Sequence, residues 1–471
     1  MRRSLTVTVL PSIVLLLALL SAATYLGTGG VQAQTQTDGI QVTSQGAESQ
    51  FPDQMRFYLT ARSPDEINEV RLFFKKSGQV SSAYRAVEFT PGITVNGQTL
   101  IRLGLGDAYL PPGAELQYYF ELRDRGQRVL RTPTQTFLYE DTRLQWRSIT
   151  GGLITVYYSG GVTEARAKAV LEASQESMTR MLPVLGIQPT RPLRIVAYGS
   201  YQDMRGALPF RARAVQEQLV TEGQAFTDER VLLVLASGSG IRGITAHEFS
   251  HLLVAEAAGT AIQRVPAWLN EGLAEYANPE PMPSYDQYLR RAIQDGKLQP
   301  LWHLIVFGGT PEDIIIAYGH SSSVVEYLIT THGEAKIAEV MRALKTTLDI
   351  DRALEQVYGF DQYGLDSAWR KSMGLQPSPP RQTAQPPTAT SPAPTPAANP
   401  TLVPTASPTP TLPAAAPPAT TTSGPTPNTP VVPPGAAGCS LGAVGASPDL
   451  AWLALLGAVA GMIVVRRVRR S

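Results

Sequence analysis

The stretch Ile244-Thr245-Ala246-His247-Glu248-Phe249-Ser250-His251-Leu252-Leu253 decides how the rest of the chain is read. On a helix, His247 and His251 are four residues apart, so they stack on one face and can grip one metal ion. Glu248 lies beside them, placed to take a proton from a water at that metal. With only five His in 471 residues, this H-E-x-x-H spacing rarely arises by chance. Two His leave a tetrahedral site one protein ligand short. The chain offers that ligand in Trp268-Leu269-Asn270-Glu271-Gly272-Leu273-Ala274-Glu275-Tyr276, a second helical segment opened by Pro266. Nineteen residues lie between His251 and Glu271, enough for a loop that returns a second helix to the metal. Glu256 is a rival ligand, but five residues past His251 on one helix it is rotated about 140° away. Glu275, one turn beyond Glu271, can accept the free ring N–H of a ligand His.

Upstream, residues 152–158, 192–198 and 230–235 read as strands, and residues 163–185 as an amphipathic helix. Downstream, residues 335–344 and 351–358 read as helices that pack and carry no motif. Residues 143–374 therefore form an α+β domain: a small sheet feeding the metal-site helix, then a helical half. Residues 41–142 differ. Short alternating runs such as Met55-Arg56-Phe57-Tyr58-Leu59 and Leu116-Gln117-Tyr118-Tyr119-Phe120-Glu121-Leu122 are separated by turn signals at Asn96-Gly97 and Pro111-Pro112-Gly113. This pattern predicts an immunoglobulin-like β-sandwich. Residues 110–116 resemble a fibronectin type III strand junction, although Leu116 stands where that family has its corner Tyr. No catalytic constellation is visible there, so a spacer or docking role is expected.

The ends of the chain suggest export and anchoring. Residues 1–33 carry Arg2 and Arg3, an apolar run and a small-residue ending at Ala33, the pattern of a secretory signal. Residues 375–438 hold 20 of the 38 prolines and one charge, Arg381. Such a tract cannot bury enough apolar surface to order itself, and it reads as a disordered Pro/Thr/Ala-rich stalk. Residues 439–471 contain an uncharged apolar run from 450 to 465 followed by Arg466, Arg467, Arg469 and Arg470. These features predict a transmembrane helix with its Arg cluster in the cytoplasm and the folded domains outside. The tail resembles bacterial sorting signals, in which Gly438-Cys439-Ser440 would be the processing motif. The 40 Lys+Arg against 39 Asp+Glu argue against a nucleic-acid partner, and the single Cys excludes a Cys-based zinc cluster.

The HEFSH and WLNEGLAEY segments together resemble the gluzincin (MA clan) zinc metallopeptidases, with the peptidase-MA-like family as the nearest match, over roughly residues 145–372. The resemblance implies a zincin-type fold, Zn²⁺ held by His247, His251 and Glu271, Glu248 as general base, and Glu275 orienting a ligand His. It further implies a downstream oxyanion donor. Tyr318, taken to precede a helix around residues 324–328, fits that position, and His320 is the alternative. His303 and His332 read as incidental. The Gly-x-Met-Glu-Asn motif of M1 aminopeptidases is absent, so aminopeptidase specificity is not carried over. Residues 222–226 precede the third strand, whose edge could hold an extended peptide. The expected function is hydrolysis of peptide or protein substrates at the cell surface. The alternative is an inactive metallopeptidase-like scaffold, against which the intact Glu248 argues. Nothing in the sequence speaks to oligomeric state.

Overall fold

The computed structural model describes residues 39–103, 109–209 and 222–378. The expected signal segment, the stalk beyond residue 378 and the C-terminal anchor lie outside them. Among the described residues, no helix is long and apolar enough to cross a membrane.

The first unit contains β1 (Gln41–Gln50), β2 (Gln54–Lys76), β3 (Ala83–Ala86), β4 (Gly92–Arg102), β5 (Glu115–Asp124), β6 (Val129–Arg131) and β7 (Gln135–Leu138). The period-2 alternation read from the sequence turns Met55, Phe57, Leu59 and Ala61 of β2 inward, all buried. Where the sequence suggested a sandwich of separate sheets, hydrogen bonding joins all seven strands into one sheet through β2. The first half of β2 pairs with β1 and β4 and its second half with β3 and β5. The register breaks between Arg62 and Ile67, where the strand bends so that the sheet folds over its own core. The Ser63 hydroxyl donates to buried Asp124 at 2.6 Å, fastening the bend to β5.

The second unit begins with a five-stranded sheet of β8 (Trp146–Gly151), β9 (Ile154–Ser159), β10 (Leu193–Tyr198), β11 (Gly223–Phe226) and β12 (Val231–Leu235), ordered β11-β12-β10-β9-β8. Strands β9, β10 and β12 are parallel, and both edges are antiparallel. Helix α1 (Glu164–Leu185) crosses from β9 to β10, capped by Thr163 and stopped by Gly186 at φ 61. Short α2 (Tyr201–Arg205) follows β10. After β12 come α3 (Ile241–Ala258), α4 (Ala267–Ala277), α5 (Pro283–Gln294), α6 (Pro311–His332), α7 (Ala335–Thr347), α8 (Ile350–Tyr358) and α9 (Gln362–Ser372).

Every residue of β12, Val-Leu-Leu-Val-Leu, is buried. A strand apolar at every position needs cover on both faces. Leu232 and Val234 point into the core shared with α1 and α3. Val231, Leu233 and Leu235 point the other way, together with Val196 and Tyr198, into a second core that includes Phe51, Tyr109, Leu144 and Trp146. Phe51 and Tyr109 of the first unit thus pack on the back of this sheet beside Leu144, Trp146 and Met204 of the second. Tyr198 donates to Asp141 at 3.1 Å and stands edge-on to Trp146 with ring centroids 5.3 Å apart. Asp141 also holds Arg143 through two side-chain hydrogen bonds of 2.8 and 2.6 Å.

Helix α3 is buried almost all round, so its polar residues stand out as chosen for something other than solvation. Helix α4 crosses α6 at Gly272, where an added Cβ would stand 2.5 Å from the Ser321 carbonyl oxygen and 2.6 Å from a Val325 methyl. Gly272→Ala is expected to destabilise the protein by about 1–3 kcal/mol through this overpacking. Gly160→Ala, where a Cβ meets nothing within 4 Å, should be near neutral, and denaturant midpoints compare the two.

Candidate active site

Helix α3 presents His247 and His251 one turn apart, with ring centroids 5.0 Å apart and planes at 83°. Helix α4 brings Glu271 against both. Its Oε2 lies 3.3 Å from His247 Nε2 and 3.6 Å from His251 Nε2. The three residues are buried, and one ligand atom from each falls within 4.8 Å of the others. Donors at zinc bond lengths of about 2.0–2.1 Å in a tetrahedral shell sit roughly 3.3–3.5 Å from one another. The Glu271 distance to His247 matches that edge length and the one to His251 slightly exceeds it, and these three ligand atoms have no other hydrogen-bond partner among the described residues. The donor set therefore fits a zinc ion.

The outer nitrogens fix the tautomers. His247 Nδ1 lies 2.8 Å from Glu275 Oε1, and His251 Nδ1 lies 3.1 Å from Asn270 Oδ1. His251 Nδ1 donates its proton to Asn270, and the Glu275 carboxylate beside His247 Nδ1 favours a proton there, so each Nε2 is left to turn its lone pair to the shared point. Glu275 is steadied by Asn278 Nδ2 at 3.3 Å. Asn270 is a site residue that the sequence reading did not single out. Its signal was available, because it directly precedes Glu271 on a helix already assigned to the metal. Without an ion, burial pulls the His247 imidazole down, yet its hydrogen bonds to Glu271 and Glu275 outweigh that and hold it well above its ordinary value. Burial pulls His251 down. Glu275→Ala is expected to weaken zinc binding about 10–100-fold while leaving the fold intact, as competition with a chromogenic chelator would show.

Glu248 points from α3 toward β11. A Cβ on Gly223 would stand 2.5 Å from Glu248 Cγ, so only glycine lets the edge strand lie over this side chain. Burial pushes the Glu248 carboxyl up to about 8, against the pull of His247. Neither carboxylate oxygen has a full hydrogen bond in the protein, although the Ala225 N–H lies near enough to favour the charged form. The third strand of the sequence reading, β12, is not an edge. Among the described residues, the sheet edge beside the site belongs to β11, the stretch that reading placed before it.

Tyr318 is buried, with its ring 6.1 Å from that of His247. Tyr285 stacks on it at 5.5 Å, and Phe307 meets it edge-on at 5.1 Å. The sequence reading placed Tyr318 ahead of a helix, but it lies inside α6. That helix starts at Pro311 behind a capping box formed by Thr310 and Asp313. Gly319 is where α6 passes the Tyr285 backbone, with an added Cβ only 2.6 Å from that carbonyl oxygen. His320, the alternative to Tyr318, is on the far side of α6, its ring 4.4 Å from that of Trp369 and away from the metal ligands. Glu256 is drawn off by Arg230 and Arg191. His303 and His332 are exposed and take no part.

Among solved structures, the chain is similar to an M1 zinc metallopeptidase from Deinococcus radiodurans bound to a Tyr-Ser-Ala substrate. Identity is 13% over 73% of this chain and 96% of that one, with a TM-score of 0.30. It is also similar to leukotriene A4 hydrolase from Saccharomyces cerevisiae, at 11% identity over 72% of this chain and 66% of that one, TM-score 0.28. A stretch covering 20% of the chain is similar to a family 56 carbohydrate-binding module, a β-1,3-glucan binding domain, at 18% identity over 95% of that chain, TM-score 0.14. No curated protein matches the chain. Residues 173–374, which hold the whole His247–His251–Glu271 cluster together with Glu248, Glu275 and Tyr318, match the family model of the Peptidase MA superfamily, and that match supports a zinc metallopeptidase in general.

Proposed function

We propose that this chain is a zinc-dependent peptidase that hydrolyses peptide bonds with Glu248 as general base, exported and held at the cell surface by its C-terminal segment. The observation that carries the chemical part is the convergence of two imidazole lone pairs and one carboxylate oxygen, buried and within 4.8 Å, beside a carboxylate without a full hydrogen bond. Zinc bound by His247, His251 and Glu271 supplies Lewis-acid polarisation of a carbonyl and a water of lowered pKa. Glu248 takes the proton of the attacking water and returns it to the leaving amine. The Tyr318 phenol donates a hydrogen bond to the carbonyl oxygen as it gains negative charge. Glu275 and Asn270 keep the two imidazoles in the tautomer that faces inward. The β11 edge of the sheet is suited to pair with an extended peptide.

Digestion of a mixed peptide library tests this reading. Cleavage should vanish with a chelator and return with added zinc. Cleavage indifferent to chelator, or stoichiometric zinc with no cleavage of any peptide, contradicts it. Surface anchoring is tested separately: the chain should fractionate with membranes and be shaved from intact cells by added protease.

A further inference from the structure

Helix α5 is polar over most of its surface, and its buried residues are Tyr285, Leu289 and Ala292. Spacings of four and three place them in one stripe. That stripe lies against α6 at Gly319, where an added Cβ would stand 2.6 Å from the Tyr285 carbonyl oxygen and 3.3 Å from Leu289 Cβ. The Tyr285 ring reaches one residue further, to Tyr318, with ring centroids 5.5 Å apart and planes within 13°. Two consecutive residues of α6 are thus seated on one residue of α5: Gly319 against its backbone and Tyr318 against its ring.

The place of the Tyr318 phenol is not settled by α6 alone. A long side chain on a helix has two usable χ1 rotamers, and its neighbours decide between them. Tyr285 covers a face of the Tyr318 ring, and Phe307, from the loop before α6, meets it edge-on at 86°. Two rings from two other parts of the chain therefore hold the Tyr318 ring 6.1 Å from that of His247. Tyr285 is 4% exposed, and its hydroxyl has no hydrogen-bond partner among the described residues. What Tyr285 brings to this contact is its ring.

We propose that Tyr285 is a positioning residue, whose stacked ring selects the Tyr318 rotamer that sets the phenol beside His247. Its effect on catalysis rests on the peptidase reading, in which Tyr318 donates to the carbonyl oxygen. The placement itself does not. A donor moved by about 1 Å can cost about 100-fold in rate. The loss belongs in kcat, because the interaction with the developing charge is made in the transition state.

NMR on metal-free full-length protein, labelled at tyrosine and histidine, tests the placement without any need for activity. The nuclear Overhauser contact between the Tyr318 and His247 rings should be present in the wild type and in Tyr285→Phe, and lost in Tyr285→Leu. Tyr285→Met, whose flexible side chain fills an uneven gap, repeats the measurement should Tyr285→Leu fold poorly. On a peptide that the wild type cleaves, Tyr285→Leu should lower kcat about 10–100-fold, with KM and zinc content unchanged, and Tyr285→Phe should restore the rate. Added to Tyr318→Phe, Tyr285→Leu should cost nothing further, because a residue that acts through Tyr318 then has nothing to act on. A ring contact that survives in Tyr285→Leu and Tyr285→Met overturns the proposal, and so does an additive loss in the double variant. A wild type that cleaves no peptide overturns the peptidase reading alone, since the ring contact still decides the placement.

Discussion

The Glu248→Gln variant will retain zinc and hydrolyse peptides about 10²–10⁴-fold more slowly than the wild type. The amide keeps the size of the carboxyl, so the packing under Gly223 survives, and the ligands His247, His251 and Glu271 are untouched. What disappears is the capacity to take a proton from water and hand it to the leaving amine. Metal content should stay at the wild-type value, which separates loss of the base from loss of the site. Because the lost interaction is needed in the transition state, the drop belongs in kcat, with KM little changed. A variant that loses zinc together with activity would instead make Glu248 a structural support of the metal site.

The second large effect is on folding. A fragment beginning at residue 143 should fail to form a cooperative native state, whereas residues 39–378 should fold. Removing the first unit takes Phe51, Tyr109 and the Gly113 turn away from the core that holds Val196, Tyr198, Val231, Leu233 and Leu235, all now buried at 7% exposure or less. Each side chain of this size contributes about 1.5–3 kcal/mol when fully buried. Five of them together rival the ordinary net stability of about 5–15 kcal/mol. The fragment also loses the hydrogen bond from Tyr198 to Asp141. Thermal unfolding followed by circular dichroism would show one sharp transition for the longer chain and none for the fragment. A fragment with a cooperative transition near that of the longer chain would mean that the first unit is a spacer after all.

The grouping of His247, His251 and Glu271 was legible in the sequence because its signal is local. A helical period of 3.6 is enough to put His247 beside His251, and a glutamate on a following helix is a third candidate ligand. Strands β9, β10 and β12 and helix α1 were legible for the same reason, through periodicity, whereas β8 and β11 were not read as strands. What escaped depended on contacts between elements distant in the chain. The run Val231–Leu235 announced a strand buried on both faces, but nothing local said that Phe51 and Tyr109 pack on its back. The start of α6 was missed, although Thr310 and Asp313 form a capping box there around Pro311, because the helical stretch was read only from residue 324. Asn270 was overlooked because its role is defined by His251, across the helix crossing. The fold-back of β2 turns on Ser63 and Asp124, 61 residues apart.

The most direct test measures zinc content and peptide hydrolysis side by side on the wild type and on Glu271→Gln after dialysis. If His247, His251 and Glu271 hold a catalytic zinc, the wild type carries one zinc per chain and cleaves, while the variant carries none and does not. Cleavage that persists in zinc-free Glu271→Gln would contradict the assignment.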